Sequence, residues 1–326
     1  MRLGLVIITI FLSQGIWGQA NKTLSYGFAD NTYHSLNEEV VFEFDGVFPN
    51  QKFSCISLRS SENKLIAYKA NITTAVCDDT LCQIVECTIY WDITGKYLGY
   101  NIYDNKPLTK FDHQAFSSSD YEKLHHLLND RHSVLSQKRK EEILDKSIKI
   151  KSDKYDAITG ATAIELKEVV VAKASYTSYT LWYIANGQIV EKIRKHTDKN
   201  ISRNQTIDLL DSKNNREQLL ALKHLGPEDF KEQFTKILGI LETAIPLNRQ
   251  FVLTSLPQDV WEKSENQISI CLIANRFDSR SISILLKKLK AIKKPAIEAL
   301  LALSKITKNF SRKQLNDYRQ LVRSPQ

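Results

Sequence analysis

Ile84-Val85-Glu86-Cys87-Thr88-Ile89-Tyr90-Trp91, followed by Asp92-Ile93-Thr94-Gly95 and then Tyr97-Leu98-Gly99-Tyr100, decides the fold of the first half of the chain. Two runs rich in β-branched and aromatic residues flank a short segment of turn-forming residues, which predicts an antiparallel hairpin. Upstream, Val40-Val41-Phe42-Glu43-Phe44, Phe53 to Leu58 and Leu65-Ile66-Ala67-Tyr68 have the same character, separated by clusters of Asn, Asp, Gly and Ser. From Asn21 to about Tyr103 the pattern therefore predicts an antiparallel sheet.

Downstream the period changes. Ser119 with Glu122 three residues on has the arrangement of a capping box, and Tyr121, Leu124 and Leu128 line one face of the helix it would open. A second helix is expected from Lys138 to Asp145, and Ile148-Lys149-Ile150 alternates like an edge strand. Ile164, Leu166, Val169 and Val170 suggest a helix, and another is expected from Ser175 to Asn186, ended by Gly187.

Beyond about Asn200 the strand signals stop, and Leu, Ile, Ala, Lys and Glu recur at intervals of three and four. Helices are expected at Arg216 to Leu225, Pro227 to Glu242, Pro246 to Leu256, Gln267 to Ala274, Ser279 to Ala291, Pro295 to Ser304 and Ser311 to Leu321. Stacked pairs in a HEAT-like array, or a compact bundle, would bury their apolar faces. The fold class read from the sequence is α+β: an N-terminal antiparallel sheet with helices over residues 21–200, then an all-α helical-repeat or bundle domain over residues 201–326.

The first residues have the form of a secretory signal: Arg2, an apolar run from Leu3 to about Trp17, then Gly18-Gln19-Ala20 before a cut. That run is shorter than the ~20 apolar residues that span a bilayer comfortably. The expected product starts near Asn21 and is periplasmic or otherwise exported, with an uncleaved anchor as the alternative. Its first cysteine is Cys55, so the cut offers no cysteine for a lipid. In an oxidising compartment a disulfide is expected, with Cys77 and Cys82 the preferred pair across Asp78-Asp79-Thr80 and Cys87 a buried thiol. The Cys-x4-Cys-x4-Cys spacing fits no zinc knuckle. The formal charge of +8 is read as a solvated basic face that aids solubility, with no nucleic-acid partner.

Candidate chemistry centres on Asp156-Ala157-Ile158-Thr159-Gly160-Ala161-Thr162. Small residues, hydroxyls and a carboxylate lie just before a helical pattern, whose unpaired N–H groups attract an anion such as phosphate. Gly160 and Ala161 leave room for a bulky group, Thr159 could cap the helix and Asp156 could satisfy turn amides. Tyr176, Tyr179 and Tyr183 share one face of the next helix by their spacing, either as a stacking surface or as its core face. His125 and His126 are neighbours on a helix, diverge by about 100° and cannot serve one metal. No Walker loop, Rossmann glycine fingerprint or Ser-His-Asp order is present, and no catalytic residue is assigned.

The same seven residues resemble the Asp-x-x-(Ser/Thr)-Gly-Ala-Thr signature of FMN-binding domains, such as those in the C subunit of sodium-pumping NADH:quinone oxidoreductase and the related Rnf subunit. Many members carry a further Ser or Thr where this chain has Ile164. The resemblance implies FMN held at this site, through a phosphoester to Thr162 or non-covalently, with Asp156, Thr159, Gly160, Ala161, Tyr176 and Tyr179 around it. It also implies extracytoplasmic electron transfer to a redox partner protein, and a flavin transferase where Thr162 is modified. The alternative is a non-enzymatic interaction protein that uses the C-terminal helices, with Lys287-Lys288-Leu289-Lys290 and Lys293-Lys294 approaching an acidic partner.

Overall fold

A computed structural model of the chain describes residues 23–27, 33, 35–76, 83–110, 113–143, 164–292 and 294–323. Strands β1 (Thr23–Tyr26), β2 (Asn37–Asp45), β3 (Lys52–Arg59), β4 (Leu65–Thr74), β5 (Val85–Asp92) and β6 (Tyr97–Tyr103) form one six-stranded antiparallel sheet in the order β1-β6-β5-β4-β3-β2. The expected α+β architecture is thus present. Successive strands are neighbours from β2 to β6, and β1 closes the far edge with Tyr26 opposite Tyr100. In β4, Leu65 and Ala67 are buried and Ile66 exposed, and from Tyr68 the buried set moves to the other face, with Ala70, Ile72 and Thr74 buried and Asn71 and Thr73 exposed. From Ile89 to Asp92 every β5 residue is buried, so both faces are covered there.

The hairpin turn between β5 and β6 has a three-residue loop. Asp92 N–H donates to Lys96 O at 2.8 Å, Gly95 N–H donates to Asp92 O at 2.9 Å, and Gly95 sits at φ +79°, where a side chain is strained. Asp92 Oδ1 accepts from Thr94 N–H, Thr94 Oγ1 and Lys96 N–H, which ties the loop together.

The helices follow: α1 (Ser118–Asn129), α2 (Ile164–Lys167), α3 (Ser175–Asn186), α4 (Ile189–Asn200), α5 (Arg203–Leu209), α6 (Asn215–His224), α7 (Pro227–Glu232), α8 (Phe234–Thr243), α9 (Pro246–Ser255), α10 (Gln258–Glu262), α11 (Ser264–Leu272), α12 (Ser279–Lys290), α13 (Ile297–Ser304) and α14 (Arg312–Arg323). The described residues fall into two compact units, one within 1–32, 71–89 and 99–179, the other within 33–70, 90–98 and 180–326.

In the first unit, Tyr26 stacks on Tyr100 and Tyr121, with ring centroids 5.1 and 4.9 Å apart, and α1 packs on β1. Tyr121, Leu124 and Leu128 are buried as their spacing requires, but the capping box lies two residues earlier than expected. Ser117 N–H donates to Asp120 Oδ2, Asp120 N–H donates to Ser117 Oγ, and Lys110 pairs with the same carboxylate. Burial pulls the Asp120 carboxyl up, but the Lys110 ammonium with the Ser117 hydroxyl and N–H outweighs it and holds the group below its ordinary value. No α-helix forms over the described part of Lys138 to Asp145. Short 3-10 turns at Val134–Gln137 and Lys140–Glu142 stand on either side of an extended Arg139. The Lys138 carbonyl, which an α-helix would give to Glu142, accepts the Tyr179 hydroxyl instead. The expected strand at Ile148-Lys149-Ile150 lies outside the described residues.

In the second unit, Gly187 ends α3, yet the chain enters α4 almost at once. Ile189, Val190, Ile193 and Thr197 of α4 are buried, and Lys192 Nζ donates to the β2 carbonyl of Glu43 at 2.7 Å. The expected single helix over Pro227 to Glu242 breaks at Gln233, whose ψ of 18° leaves the helical range.

Seven of the remaining helices stack in two rows, with α5, α7 and α10 packed on α6, α8 and α11. α6, α9, α12 and α14 neighbour one another in that order, and α8, α11 and α13 form the second row. Helices α9, α12 and α14 begin at Pro246, Ser279 and Arg312, two intervals of 33 residues. α6 begins at Asn215, 31 residues before α9, so the steps along this row are similar in length. Polar contacts step along it as well: Asn248 Nδ2 donates to Gln218 Oε1, Gln250 Nε2 to Asp278 Oδ1, and Gln314 Nε2 to Ser279 O and Ser283 Oγ.

Candidate functional site

The signature residues Asp156, Thr159, Gly160, Ala161 and Thr162 lie outside the described residues, as do Cys77 and Cys82. Tyr176 and Tyr179 are described, on α3. Only Tyr176, Tyr183 and Asn186 of that helix are half-buried, and every other side chain is buried, so α3 is covered all round. Its neighbours hold it by polar contacts: Ser178 Oγ accepts from Val171 N–H at 3.1 Å, and Tyr179 donates to Lys138 O at 3.2 Å. Tyr179 is 5% exposed, which commits its ring to the core, whereas Tyr176 has the Lys140 ammonium 5.6 Å above its ring. Tested against a flavin ring, the described part of the aromatic face offers Tyr176 and not Tyr179.

Tyr68 and His196, 128 residues apart in sequence, are two titratable side chains that meet. The Tyr68 hydroxyl, fully buried on β4, lies 2.8 Å from both His196 Nδ1 and Thr197 Oγ1 of α4. Burial pushes the Tyr68 hydroxyl pKa up, and it lowers that of His196, where the Arg59 guanidinium adds to the effect and Glu39 opposes it. A neutral imidazole bonded to a neutral phenol is a structural contact: neither group is poised to carry charge. Cys55, Cys87 and Cys271 are buried free thiols, with Cys87 and Cys271 pushed up to about 12 by burial, the reverse of an activated nucleophile. Cys87 was expected as such a thiol. His125 is half-buried and His126 exposed, and no metal-binding group of His, Cys, Asp or Glu exists among the described residues.

Two surface features stand out in the helical array. An open groove of about 570 Å³ between α6 and α8 is bordered by Asp211, Asn215, Gln218, Thr235 and Lys236, and Gly239 leaves a gap because nothing lies within 4 Å of where its Cβ would be. The second is electrical. Residues 279–326 carry twelve of the 45 Lys and Arg but two of the 37 Asp and Glu, a net +10 against −2 for the rest of the chain. Among the described residues of this segment Lys290 alone forms an ion pair, with Asp317 of the neighbouring helix, and Lys288 donates to Thr254 O. Arg280, Lys287, Lys294, Lys305, Lys308, Arg312, Lys313, Arg319 and Arg323 make no such contact.

The lysine runs of α12 pointed to this surface in the sequence. The stacking of α12 against α14, which places their cations on adjoining helices, had no sequence signal beyond the two helical patterns. No family model matches the chain, and no curated protein or solved structure matches it.

Proposed function

We propose that the chain is a non-enzymatic interaction protein whose helical array binds an acidic partner through α12 to α14. The observation that carries this is the concentration of net +10 in residues 279–326, where among the described residues Lys290 alone forms an ion pair. Like charges brought together by folding repel, a standing cost to the fold that an acidic partner relieves. Retention of the purified chain on a polyglutamate matrix, lost on charge reversal at Lys287, Arg312 and Arg319, is the expected result. Equal retention of that variant would remove the proposal.

A second proposal is an exported electron-transfer protein carrying FMN at Asp156, Thr159, Gly160, Ala161 and Thr162. Its support is the signature itself and the half-buried Tyr176 that follows it on α3. Co-expression with a flavin transferase should add the mass of one FMN to the chain, and Thr162→Ala should abolish the gain. Absence of both the mass gain and flavin absorbance in the purified chain would count against it.

A further inference from the structure

We propose that the last helix pair, α13 and α14, docks on the surface of an anionic lipid bilayer. This rests on the acidic-partner reading above and names the partner.

The cations are spread for a broad surface. Arg312, Arg319 and Arg323, with Asn316 between them, recur at helical spacing on α14 and are all exposed. Lys305 and Lys308 follow α13 and are exposed too.

Aliphatic side chains share these helices. Ile297 and Leu301, one turn apart on α13, are 51% and 58% exposed, and Val322 of α14, beside Arg319 and Arg323, is 52% exposed. Lys305 stands one turn beyond Leu301, so the apolar stripe runs into a cation. A bilayer interface offers both chemistries at once, anionic headgroups for Lys and Arg and the acyl boundary for short aliphatic side chains. A nucleic acid would engage the cations and leave Ile297, Leu301 and Val322 in water. A second copy of the chain would set two ends of net +10 against each other. Among the described residues no helix is long and apolar enough to cross a membrane, which restricts these residues to lying on it.

The test is co-sedimentation of the purified full chain with vesicles of phosphatidylglycerol and phosphatidylethanolamine, with vesicles of phosphatidylcholine alone as reference. Soluble polyglutamate and a DNA duplex serve as competing anions. Binding to the anionic vesicles alone, weakened by salt, is expected. Charge reversal at Arg312, Arg319 and Arg323 should lower partitioning by roughly a hundredfold or more. Ile297→Ser with Leu301→Ser should lower it several-fold without changing polyglutamate binding. These positions are exposed, so circular dichroism should show both variants folded. Polyglutamate binding without vesicle binding overturns the bilayer as partner and leaves the acidic-partner reading standing. Binding to neither overturns both, and vesicle binding indifferent to Ile297 and Leu301 overturns docking through α13.

Discussion

The Gln205 side chain closes two hydrogen bonds with the backbone of Leu65, 140 residues away: Oε1 accepts from Leu65 N–H at 3.1 Å and Nε2 donates to Leu65 O at 2.6 Å. An amide on α5 thus does for the first residue of β4 what a further strand would do. Gln205 is 6% exposed, so nothing else replaces these bonds when it is removed. Gln205→Ala should therefore cost about 2 kcal/mol, the scale for leaving buried backbone groups unsatisfied. Urea unfolding of the purified chain checks it, and a loss below half that figure would mean water reaches Leu65.

The β5–β6 turn tolerates no side chain at Gly95. A Cβ there would come 2.8 Å from Val190 O of α4, and the φ of +79° is already unfavourable to other residues. Gly95→Ala should destabilise the fold by about 2 kcal/mol or more through strain. The contact is with α4, so protection of α4 amides in hydrogen exchange should fall along with that of the turn.

His196 should make stability depend on pH. Burial, followed by the Arg59 guanidinium, lowers its pKa in the fold below the ordinary value of 6.5. The unfolded chain therefore takes up a proton first. The contribution is fully present above the ordinary value and is lost as pH falls below it. Its size is small because the ring is half-exposed. Urea midpoints at pH 7.5 and pH 5.5 should differ less in His196→Gln than in the natural chain. An unchanged difference would show that other groups set the acid response.

Gln314 ties the final helix to the array. It is 3% exposed, and its Nε2 lies within 3.1 Å of Ser279 O, Ser279 Oγ and Ser283 Oγ. Gln314→Leu leaves those serines without their donor and should cost about 2 kcal/mol. Opening should be local, seen as faster exchange across α14 before the rest of the array. By contrast Asp317→Asn, which breaks a half-exposed pair with Lys290, should change stability by about 0.5 kcal/mol or less.

Hydrophobic period made much of the fold legible in the chain. Runs of β-branched and aromatic residues between turn clusters located β2 to β6, with β4 extending six residues past the run at Tyr68, and Leu and Ile spacing located α6, α9, α12 and α14. The structure departs from that period at two places. The Lys138 carbonyl accepts the Tyr179 hydroxyl, and short 3-10 turns stand where composition favoured a helix. α4 was missed although Ile189, Val190 and Ile193 carry a helical pattern, because Gly187 ends α3 only two residues earlier. Of the candidate site, Tyr176 and Tyr179 looked equivalent by spacing. Burial separated them.

The sequence by itself determined the α+β order of the chain, most of its strand and helix segments, and where net charge accumulates, because these follow from the order of side chains along the chain. Tertiary structure alone decided that Gln205 completes β4, that Tyr68 meets His196, and that α9, α12 and α14, which start 33 residues apart, stack in one row. Those outcomes depend on which buried donor finds which acceptor across more than a hundred residues or between neighbouring repeats. Local sequence carries no record of that choice, since a buried amide or hydroxyl is satisfied by geometry.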